Sequence, residues 1–409
     1  MRTSILAVGT ELLFGQTVNT NAAFLSENLN HMGFDVMYHF VVGDNPARLK
    51  EKLADAFADT DLVILTGGLG PTQDDLTKEM VAEYMGRDMY LDNKVVDDLK
   101  AIFARRGGDM PENNMKQAYM PVGCTPFYNA SGTAPGFALS VDGKTAICMP
   151  GPPREMKWLF DNGVRQYLAQ FMEKKMFYRV IRTIGIGESD LEMLLMPLID
   201  CQTDPTIATY AKEGECTLRV ASQRDTAEEA EAAVNEMTER ITGLAGEYIY
   251  SYDDEDLNEV VVKILREKGL HITSAESCTG GLFASAITDV AGASNVLASA
   301  YVTYSNESKS SELGVPPEVI ESCGVVSSET AEAMARGALA RSGADIAVSV
   351  TGYAGPEADP GHEAGEAYIG YATKDTCGHY SIRTSRDDRK WNRRYITLRM
   401  LRAVYLLIR

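Results

Sequence analysis

The first 86 residues alternate short apolar runs with longer segments of helical period, and this alternation restricts the folds open to the chain. Buried-strand patterns occupy residues 4–8, 34–42 and 61–66, and after each one apolar side chains recur every three or four positions. A β-α-β-α-β-α order forms a mostly parallel sheet with right-handed crossovers and helices on both faces. The sequence therefore predicts a doubly wound α/β domain at the N-terminus.

Two loops follow the first and third of these strands, where a sheet of this kind binds its ligands. They read GTELLFG (residues 9–15) and GGLGPTQDD (residues 67–75). The glycines of the second loop let the backbone approach a phosphate closely, and Asp74 and Asp75 could hold a divalent cation against a pyrophosphate. The loop matches neither the Walker A pattern nor the dinucleotide-binding pattern. The alternative is an acidic first helical turn that the helix dipole stabilises.

The net charge of −19 argues against nucleic acid as a partner, because an acidic surface repels phosphate backbones. Residues 383–409 are an exception, with nine basic residues against two acidic ones in a helical pattern. This segment is either a solvated basic face of a terminal helix or a patch that holds a small phosphorylated ligand.

Chain length and cysteine usage set further limits. A chain of 409 residues is too long for a single core, so two or three domains are expected. The seven cysteines and five histidines show no metal-ligand spacing, which predicts neither a disulfide framework nor a structural zinc site. The sequence has no secretory signal and no membrane-length apolar run, and this predicts a cytoplasmic protein without membrane contact.

Two further regions follow the first domain. Residues 177–250 read as strand, helix, strand pair and helix, a small α+β unit. Residues 251–409 return to an α/β pattern, in which SAESCTGGLF (residues 274–283) joins a buried strand to a helix through a glycine turn. Its adjacent serine, cysteine and threonine are candidate nucleophiles beside amides that could stabilise an anion. The alternative is a serine that only caps the helix.

Several motifs together resemble those of the CinA family. They are VGTELLFGQTVNTNAAFL, LTGGLGPTQDDLTKE, SGTAPGF and MPGPPREM in the first domain, and SAESCTGG, YVTYSNESK, CGVVSSETAEAMARGAL and ADIAVSVTGYAGP in the third. The resemblance implies a molybdopterin-binding-type domain of the MoaB and MogA kind at residues 1–170, a KH-like α+β domain at 171–250 and a CinA C-terminal α/β domain at 251–409.

The middle domain is expected to be an interdomain or dimer-forming spacer. Acidic residues follow its GIGES segment, whereas a KH loop that binds nucleic acid needs basic surroundings. The resemblance alone implies a homodimer.

For the third domain, the resemblance implies hydrolysis of the carboxamide of nicotinamide mononucleotide to nicotinate mononucleotide and ammonia. Ser277 would attack the carboxamide and Lys309 would accept its proton, which requires that burial or a neighbouring cation lower the pKa of the lysine. Tyr304 and Thr351 would orient the nucleophile or relay the proton, and no cofactor is expected. The resemblance also implies that backbone amides near Thr279 and Gly280 hold the oxyanion. The full set of other implied substrate contacts is Thr279, Gly280, Gly281, Gly352, Gly355, Arg389 and Arg393.

For the first domain, the resemblance implies a metal-dependent ADP-ribose pyrophosphatase, with a divalent ion (Mg, Co or Mn) held by Asp74 and Asp75. Both activities would serve the recycling of pyridine nucleotides. The implied nucleotide-binding residues are Glu11, Asn19, Gly67, Gly68, Gly70, Thr72, Asp74 and Asp75.

The third domain departs from the family pattern near its C-terminus. The usual lead-in to a substrate-contacting arginine is replaced by TSRDDRKWNRR, in which Arg389 is the preferred match and Arg393 the second. Two other functions remain open. One is a scaffold that binds a nucleotide or molybdopterin-like ligand without turnover and is linked to competence or recombination. The other is a thiol amidase with Cys278 as nucleophile.

Overall fold

The structure is a computed structural model that describes residues 1–105, 107–172, 175–384 and 386–409. Its chain divides into two units, each of which is described by itself. Unit 1 comprises Met1–Phe177 and Ser222–Ala232, and unit 2 comprises Tyr178–Ala221 and Ala233–Arg409. Most of the middle region therefore shares a unit with the C-terminal region.

Unit 1 contains six strands in one sheet and two in a small ladder. Up to residue 172 its helices and strands are, in chain order, β1 (Arg2–Val8), α1 (Thr10–Leu13), α2 (Thr20–His31), β2 (Asp35–Val42), α3 (Pro46–Asp59), β3 (Leu62–Thr66), α4 (Thr77–Tyr84), β4 (Met89–Leu91), α5 (Asn93–Arg105), β5 (Tyr119–Pro121), β6 (Thr125–Phe127), β7 (Gly136–Val141), β8 (Lys144–Met149), α6 (Pro153–Leu159) and α7 (Arg165–Leu168). A 3-10 helix, Glu112–Ala118, precedes β5. The sheet order is β2-β1-β3-β8-β7-β6, and β4 pairs with β5.

Helices cover both faces of the six-stranded sheet because successive side chains of a strand point in opposite directions. Ile5 of β1 packs in the core that contains Leu25 of α2, whereas the next residue, Leu6, packs in the core that contains Leu53 of α3. Strands β2, β1, β3 and β8 run parallel. The loops after β1 and β3 therefore meet at the carboxyl edge of the sheet.

The remaining chain forms a four-stranded and a five-stranded sheet with their helices. From residue 175 onward the elements are β9 (Lys175–Ile184), α8 (Glu188–Ile199), β10 (Thr206–Lys212), β11 (Glu215–Arg224), α9 (Ala227–Ala245), β12 (Ile249–Ser251), α10 (Leu257–Lys268), β13 (Ile272–Glu276), α11 (Leu282–Thr288), β14 (Leu297–Val302), α12 (Asn306–Leu313), α13 (Pro317–Cys323), α14 (Ser328–Ser342), β15 (Ile346–Gly352), β16 (Glu366–Thr373), β17 (Cys377–Arg383) and α15 (Arg389–Ile408).

The five-stranded sheet has the order β14-β13-β15-β16-β17, and the smaller one has the order β10-β11-β9-β12. In the larger sheet β13 lies between two parallel neighbours, β14 and β15. Ile272 of β13 packs with Val261 of α10 and Val404 of α15, whereas Ala275 packs with Met334 of α14 on the other face. The chain leaves β13 first towards β14 and later returns to β15, which opens a crevice at the carboxyl end of β13.

The α/β patterns of the first and third regions and the α+β pattern of the middle region are confirmed. The structure adds an antiparallel pair of strands at the edge of each α/β sheet, β7 with β6 and β16 with β17. The period of a strand does not encode its pairing direction, so the sequence pattern could not predict these pairs. Within the described residues, none of the helices combines the length and hydropathy needed to cross a bilayer.

Candidate functional site

Ser277 lies directly after β13, at the crevice between the parallel strands of the five-stranded sheet. Its amide donates a hydrogen bond to the carbonyl oxygen of Val350 in β15 (3.1 Å), so the backbone is held against the neighbouring strand. Its side chain is nearly buried, with 8% of the residue surface exposed. The structure therefore places the predicted nucleophile where open α/β sheets bind their ligands.

Lys309 is fully buried in α12 and points its amine at Ser277. The Nζ atom lies 3.2 Å from Ser277 Oγ, 3.0 Å from the carbonyl oxygen of Thr303 and 3.4 Å from that of Tyr304. Burial lowers the pKa of this lysine, because a charged amine loses its hydration there. A neutral amine has two N–H groups for the two carbonyls and one lone pair for the serine hydroxyl. The arrangement suits a lysine that accepts a proton from Ser277.

Glu276, which was not among the predicted site residues, caps helix α11 after Ser277. Its carboxylate is fully buried and accepts hydrogen bonds from the amides of Gly281, Phe283 and Ala284, at 3.0, 3.1 and 3.0 Å. The amides at the start of α11 that were expected to be available for an anion are thus already occupied. A negatively charged side chain is well placed at a helix N-terminus.

The loop amides that could hold an oxyanion are fewer than predicted. The amide of Gly280 donates to the carbonyl oxygen of Ser277 (3.0 Å) and closes the turn, which corrects the expectation for this residue. The amide of Thr279 donates to no acceptor in the described chain. The buried hydroxyls of Thr279 and Thr303 likewise have no partner among the described residues. Thr279 therefore retains donors for a ligand.

Cys278 is a poor candidate nucleophile in this setting. Only 5% of its surface is exposed, and its side chain belongs to the hydrophobic core of the third region. Burial raises the pKa of the thiol to about 12. Since the thiolate is the reactive form, the environment disfavours attack by Cys278.

The backbones of Tyr304 and Thr351 lie near Ser277, but their hydroxyl groups form hydrogen bonds with other residues. The Tyr304 side chain is 62% exposed, and its hydroxyl accepts a hydrogen bond from Arg389 Nη2 (3.1 Å). The hydroxyl of Thr351 donates to the carbonyl oxygen of Val325 (2.7 Å). The structure therefore does not bring either hydroxyl into contact with Ser277, and Tyr304 meets Lys309 through its carbonyl group instead.

Gly352 ends β15 and Gly355 follows it, and each position favours glycine for a different reason. A side chain at Gly352 would collide with Ala367 of the adjacent strand β16. Gly355 has a φ of +89°, a conformation that side chains disfavour, and its carbonyl oxygen accepts a hydrogen bond from Arg389 Nη1 (2.8 Å). Gly355 therefore shapes the loop that meets Arg389.

The two candidate arginines at the start of α15 have different partners. Arg389 is exposed and binds the hydroxyl of Tyr304 and the carbonyl of Gly355. Arg393 is half-buried and donates to the carbonyl oxygens of Cys278 (3.1 Å) and Thr279 (2.6 Å). Arg393 thus holds the loop that follows Ser277, whereas Arg389 joins Tyr304 to the loop after β15.

The N-terminal loops meet at the carboxyl edge of the sheet of unit 1. Gly67 has a φ of +101°, its amide donates to the carbonyl of Met149 (3.0 Å), and a side chain there would collide with the carbonyl of Val8. Gly68 has a φ of +67° and lies against the side chain of Thr77. Only glycine allows the chain to turn this closely between β3 and α4.

Thr72, Asp74 and Asp75 form one polar cluster at the tip of this loop. The hydroxyl of Thr72 lies within hydrogen-bond distance of both carboxylates and can donate its one proton to either, and the Thr72 amide donates to Asp75 (3.0 Å). The hydrogen bond from Thr72 lowers the pKa of Asp74. Gly70 lies against the Asp75 carboxylate, and Lys116 Nζ donates to the Thr72 carbonyl (2.9 Å).

The donor set of this cluster suits a hard divalent cation that shares its coordination with a ligand. Magnesium is commonly bound by one or two carboxylates together with substrate phosphates. In the described residues no group of three or more His, Cys, Asp and Glu side chains could hold a metal ion. A cation at Asp74 and Asp75 would therefore need further oxygens from a phosphate or from water.

Glu11 and Asn19 occupy the loop after β1. Glu11 is exposed on α1. Asn19 caps α2, where its side chain accepts a hydrogen bond from the amide of Ala22 (3.1 Å). Nearby Asn21 is buried, donates to the carbonyl of Gly151 (2.7 Å) and keeps an unpaired Oδ1 within the described chain. Asn21 was not predicted, because a single asparagine in a helical segment carries no sequence signal.

Lys78 is a second buried lysine, at the start of α4. Only 2% of its surface is exposed, and its Nζ donates to the carbonyl oxygens of Lys116 (3.2 Å) and Gln117 (2.7 Å). Burial lowers its pKa to about 8. Lys78 therefore ties the loop region after β3 to the 3-10 helix that precedes β5.

Comparisons with known proteins cover nearly the whole chain. The family model described as "Probable molybdopterin binding domain" matches residues 4–170, "Damage-inducible protein CinA KH domain" matches residues 178–251, and "CinA C-terminal domain" matches residues 254–408. A "Putative competence-damage inducible protein" of Caldicellulosiruptor saccharolyticus is 48% identical over 95% of this chain and 94% of its own. A "CinA-like protein" of Dictyoglomus thermophilum is 46% identical over 98% of both chains.

The chain belongs to the CinA family. Among solved structures, CinA of Thermoplasma acidophilum is 37% identical and covers 41% of this chain and 98% of its own, with a TM-score of 0.38. MoaB of Thermus thermophilus is 20% identical over 42% of this chain and 94% of its own, with a TM-score of 0.29. The predicted fold class of a MoaB-like first domain, a KH-like middle domain and a CinA C-terminal domain is confirmed.

Within this CinA fold, four buried polar residues that organise the sites were not predicted from the sequence. They are Asn21, Lys78, Glu276 and Asn392. Asn392 accepts a hydrogen bond from the hydroxyl of Thr384 (2.6 Å) and donates to the carbonyls of Ala354 (3.0 Å) and Arg386 (2.9 Å), so it joins α15 to the loop after β15. The one available signal was the position of Glu276 beside the candidate nucleophile in the SAESCTGG motif.

Proposed function

We propose that the C-terminal region of this CinA family member hydrolyses the carboxamide of nicotinamide mononucleotide. The observation that carries the proposal is the buried contact of Lys309 Nζ with Ser277 Oγ at 3.2 Å, at the end of β13. A serine with a lysine base is an established variant of the nucleophile and base pair that cleaves amides. The choice of a nicotinamide nucleotide as substrate rests on the family resemblance.

In the first half-reaction, Ser277 Oγ attacks the carboxamide carbon while its proton passes to Lys309 Nζ. The new C–O bond turns the carbonyl into an oxyanion, to which the free amide of Thr279 can donate a hydrogen bond. Collapse of this intermediate breaks the C–N bond, and the proton on Lys309 passes to the leaving nitrogen. Ammonia departs, and the pyridine carboxyl group remains as an ester on Ser277.

In the second half-reaction, water attacks the ester carbon and gives one proton to Lys309. The bond between the carbon and Ser277 Oγ then breaks, and the proton on Lys309 returns to the serine oxygen. The product is nicotinate mononucleotide, whose carboxyl group releases a proton to solvent. Lys309 serves as base and then as acid in each half-reaction, which requires that it be neutral at the start.

The amidase proposal is tested by ammonia release from nicotinamide mononucleotide. Wild type should release ammonia, and Ser277→Ala and Lys309→Ala should each reduce the rate by at least about a thousandfold. Cys278→Ala is the matched control, because it changes the neighbouring residue and should retain most of the activity. Full activity of Ser277→Ala would disprove the proposed mechanism.

We further propose that the N-terminal domain is a divalent-metal-dependent ADP-ribose pyrophosphatase. The cluster of Thr72, Asp74 and Asp75 beside the close-packed turn at Gly67 and Gly68 supports this proposal. A divalent ion at the two carboxylates would neutralise the negative charge of the pyrophosphate. Thr72 orients both carboxylates, and the turn lets the backbone approach the phosphates.

Cleavage of ADP-ribose with added Mg²⁺, Co²⁺ or Mn²⁺ tests the second activity. Asp74→Ala should abolish metal-dependent cleavage and leave ammonia release unchanged. Asp97→Ala removes an exposed carboxylate of α5 and serves as the control that keeps both activities. Tight nucleotide binding without any ammonia or phosphate-ester product in wild type would favour the scaffold function instead.

A further inference from the structure

A cavity of about 310 Å³ lies between the C-terminal half of α15 and the edge strands of the five-stranded sheet. Its lining includes His379, Tyr380, Arg399 and Arg402. None of these residues belongs to the crevice of Ser277. A volume of this order is within the range of pockets that bind small ligands.

Two of the lining residues are arginines without a counterion. Arg399 and Arg402 are half-buried, and among the described residues neither has a carboxylate within ion-pair distance; the Arg399 guanidinium group lies over the ring of Tyr395, 5.9 Å from its centroid. Half-buried arginines are normally paired, because removing a guanidinium group from water has a large free-energy cost. Although the chain has a net charge of −19, these two cations have no carboxylate partner among the described residues.

The guanidinium group of Arg402 lies near the cations Arg399 and Arg409 and near the tyrosines Tyr380 and Tyr395. Burial and the neighbouring charge of Arg399 lower its pKa, and Arg409 acts in the same direction. Its guanidinium group occupies the space that a side chain on Gly185 would need, at the end of β9. Gly185 has a φ of +91°, so the backbone there leaves room for the guanidinium group and restricts its position.

The two arginines present their side chains to the same side of α15, because residues three apart are neighbours on a helix surface. Tyr380 of β17 adds an aromatic ring to the lining, and it is 38% exposed. The lining residue His379 interacts with two acids of α14, on the other face of the sheet: the Glu332 carboxylate lies 2.9 Å from His379 Nδ1, and Glu329 interacts with it electrostatically. A phosphate at the arginines would therefore meet two cations and an aromatic ring.

We propose that this cavity binds a small phosphorylated ligand of mononucleotide size, with its phosphate on Arg399 and Arg402 and its ring against Tyr380. Planar guanidinium groups are well suited to phosphate oxygens, and an aromatic side chain can stack on a base. The basic segment at residues 383–409 thereby divides into two parts. Arg389 and Arg393 flank the Ser277 crevice, and the arginines of the cavity lie about two turns of helix further on.

The test uses the full-length protein, AMP as the probe and adenosine as the matched compound without phosphate. Hydrogen–deuterium exchange is measured for the peptides of β17 and of the C-terminal half of α15. AMP should slow exchange in both peptides, and adenosine should not. Local exchange separates binding in this cavity from any binding of AMP to unit 1.

Variants test whether the two arginines cause the AMP-dependent protection from exchange. Arg399→Gln and Arg402→Gln should each weaken the AMP-dependent protection about tenfold or more, since each removes a charge-assisted contact with phosphate. Arg399→Lys keeps the positive charge and should retain part of the AMP-dependent protection. Arg394→Gln removes an exposed arginine of the same helix and should leave the protection unchanged.

Thermal unfolding of each variant separates loss of binding from loss of folding. The proposal is overturned if AMP gives no protection of these peptides in wild type. It is also overturned if protection survives both Arg399→Gln and Arg402→Gln in folded protein, or if adenosine protects as well as AMP does.

Discussion

Lys309 Nζ lies 3.2 Å from Ser277 Oγ, although the two residues are on different elements and 32 positions apart in the chain. The carbonyls of Thr303 and Tyr304 take the remaining N–H directions of the amine. The amide of Thr303 in turn donates to the carbonyl of Glu276 (2.9 Å), so the backbone beside the serine also positions the groups that hold the lysine. The proposed base and the proposed nucleophile are therefore positioned by one connected network of hydrogen bonds.

The proposed amidase should become more active as pH rises. Burial lowers the pKa of Lys309 below its ordinary value of 10.5, and only the neutral amine can accept the serine proton. We expect kcat/KM for ammonia release to increase through the lowered pKa of Lys309 and then level off. Lys309→Arg keeps the positive charge but cannot lose its proton, so it should be inactive at every pH. A kcat/KM that falls steadily as pH rises from about 6 to 9 would contradict this role.

Removal of the Glu276 carboxylate should disturb catalysis more than binding. Glu276→Ala would leave three amides at the start of α11 without an acceptor, and we expect it to lower the free energy of unfolding by roughly 3 kcal/mol. Glu276→Gln keeps the shape, and in folded protein it should lower kcat for ammonia release while KM changes little. The control is Glu318→Gln, an exposed carboxylate of α13. An unchanged kcat in Glu276→Gln would exclude the positioning role.

Cys278 should resist alkylation in the folded protein. Its burial raises the pKa of the thiol to about 12, whereas Cys201 and Cys323 are exposed. Iodoacetamide at neutral pH should modify the two exposed cysteines and leave both Cys278 and the amidase activity intact. Peptide mass spectrometry with a parallel assay of ammonia release provides the measurement. Inactivation in proportion to Cys278 modification would favour the thiol mechanism.

Arg389 and Arg393 should affect different kinetic constants. Arg393 holds the carbonyls of Cys278 and Thr279, so Arg393→Ala should loosen the nucleophile loop and lower kcat. Arg389 is exposed beside the crevice, so Arg389→Ala should raise KM for nicotinamide mononucleotide about tenfold or more if it contacts the phosphate. A KM effect in Arg393→Ala alone would assign the phosphate contact to that residue instead.

The buried Lys78 should make the stability of unit 1 depend on pH. Its pKa is about 8 in the folded protein and 10.5 in its ordinary state, so between these values the unfolded chain binds more protons and stability rises with pH. This difference in pKa corresponds to about 3 kcal/mol in the free energy of unfolding, and below pH 8 the folded protein is destabilised by the full amount. The free energy of unfolding of Lys78→Met should not show this rise with pH.

Fluorescence of Trp158 during urea unfolding reports on unit 1 when Trp391 is replaced by phenylalanine. Wild type and Lys78→Met are compared in this background at several pH values. Equal slopes of the unfolding free energy against pH for the two proteins would show that Lys78 does not titrate as proposed.

The sequence by itself determined the order of strands and helices in the first 86 residues, in the middle region and around Ser277, because the periods of two and of 3.6 residues are local properties of the chain. It also predicted the tight turn at Gly67 and Gly68, where the backbone has positive φ, and it placed Ser277 at the end of a strand. The motifs of the CinA family pointed to Lys309. The roles assigned to these residues stay predictions until the variants are measured.

Only the tertiary structure decided which polar groups meet. Burial and partners depend on segments far apart in the chain, so periodicity could not show that the Lys309 amine is fully buried against Ser277 or that Glu276 occupies the helix amides. The same limit explains why the hydroxyl of Tyr304 was expected at the serine and instead binds Arg389. Packing determines where each side chain can reach, and packing exists only once the sheet has assembled.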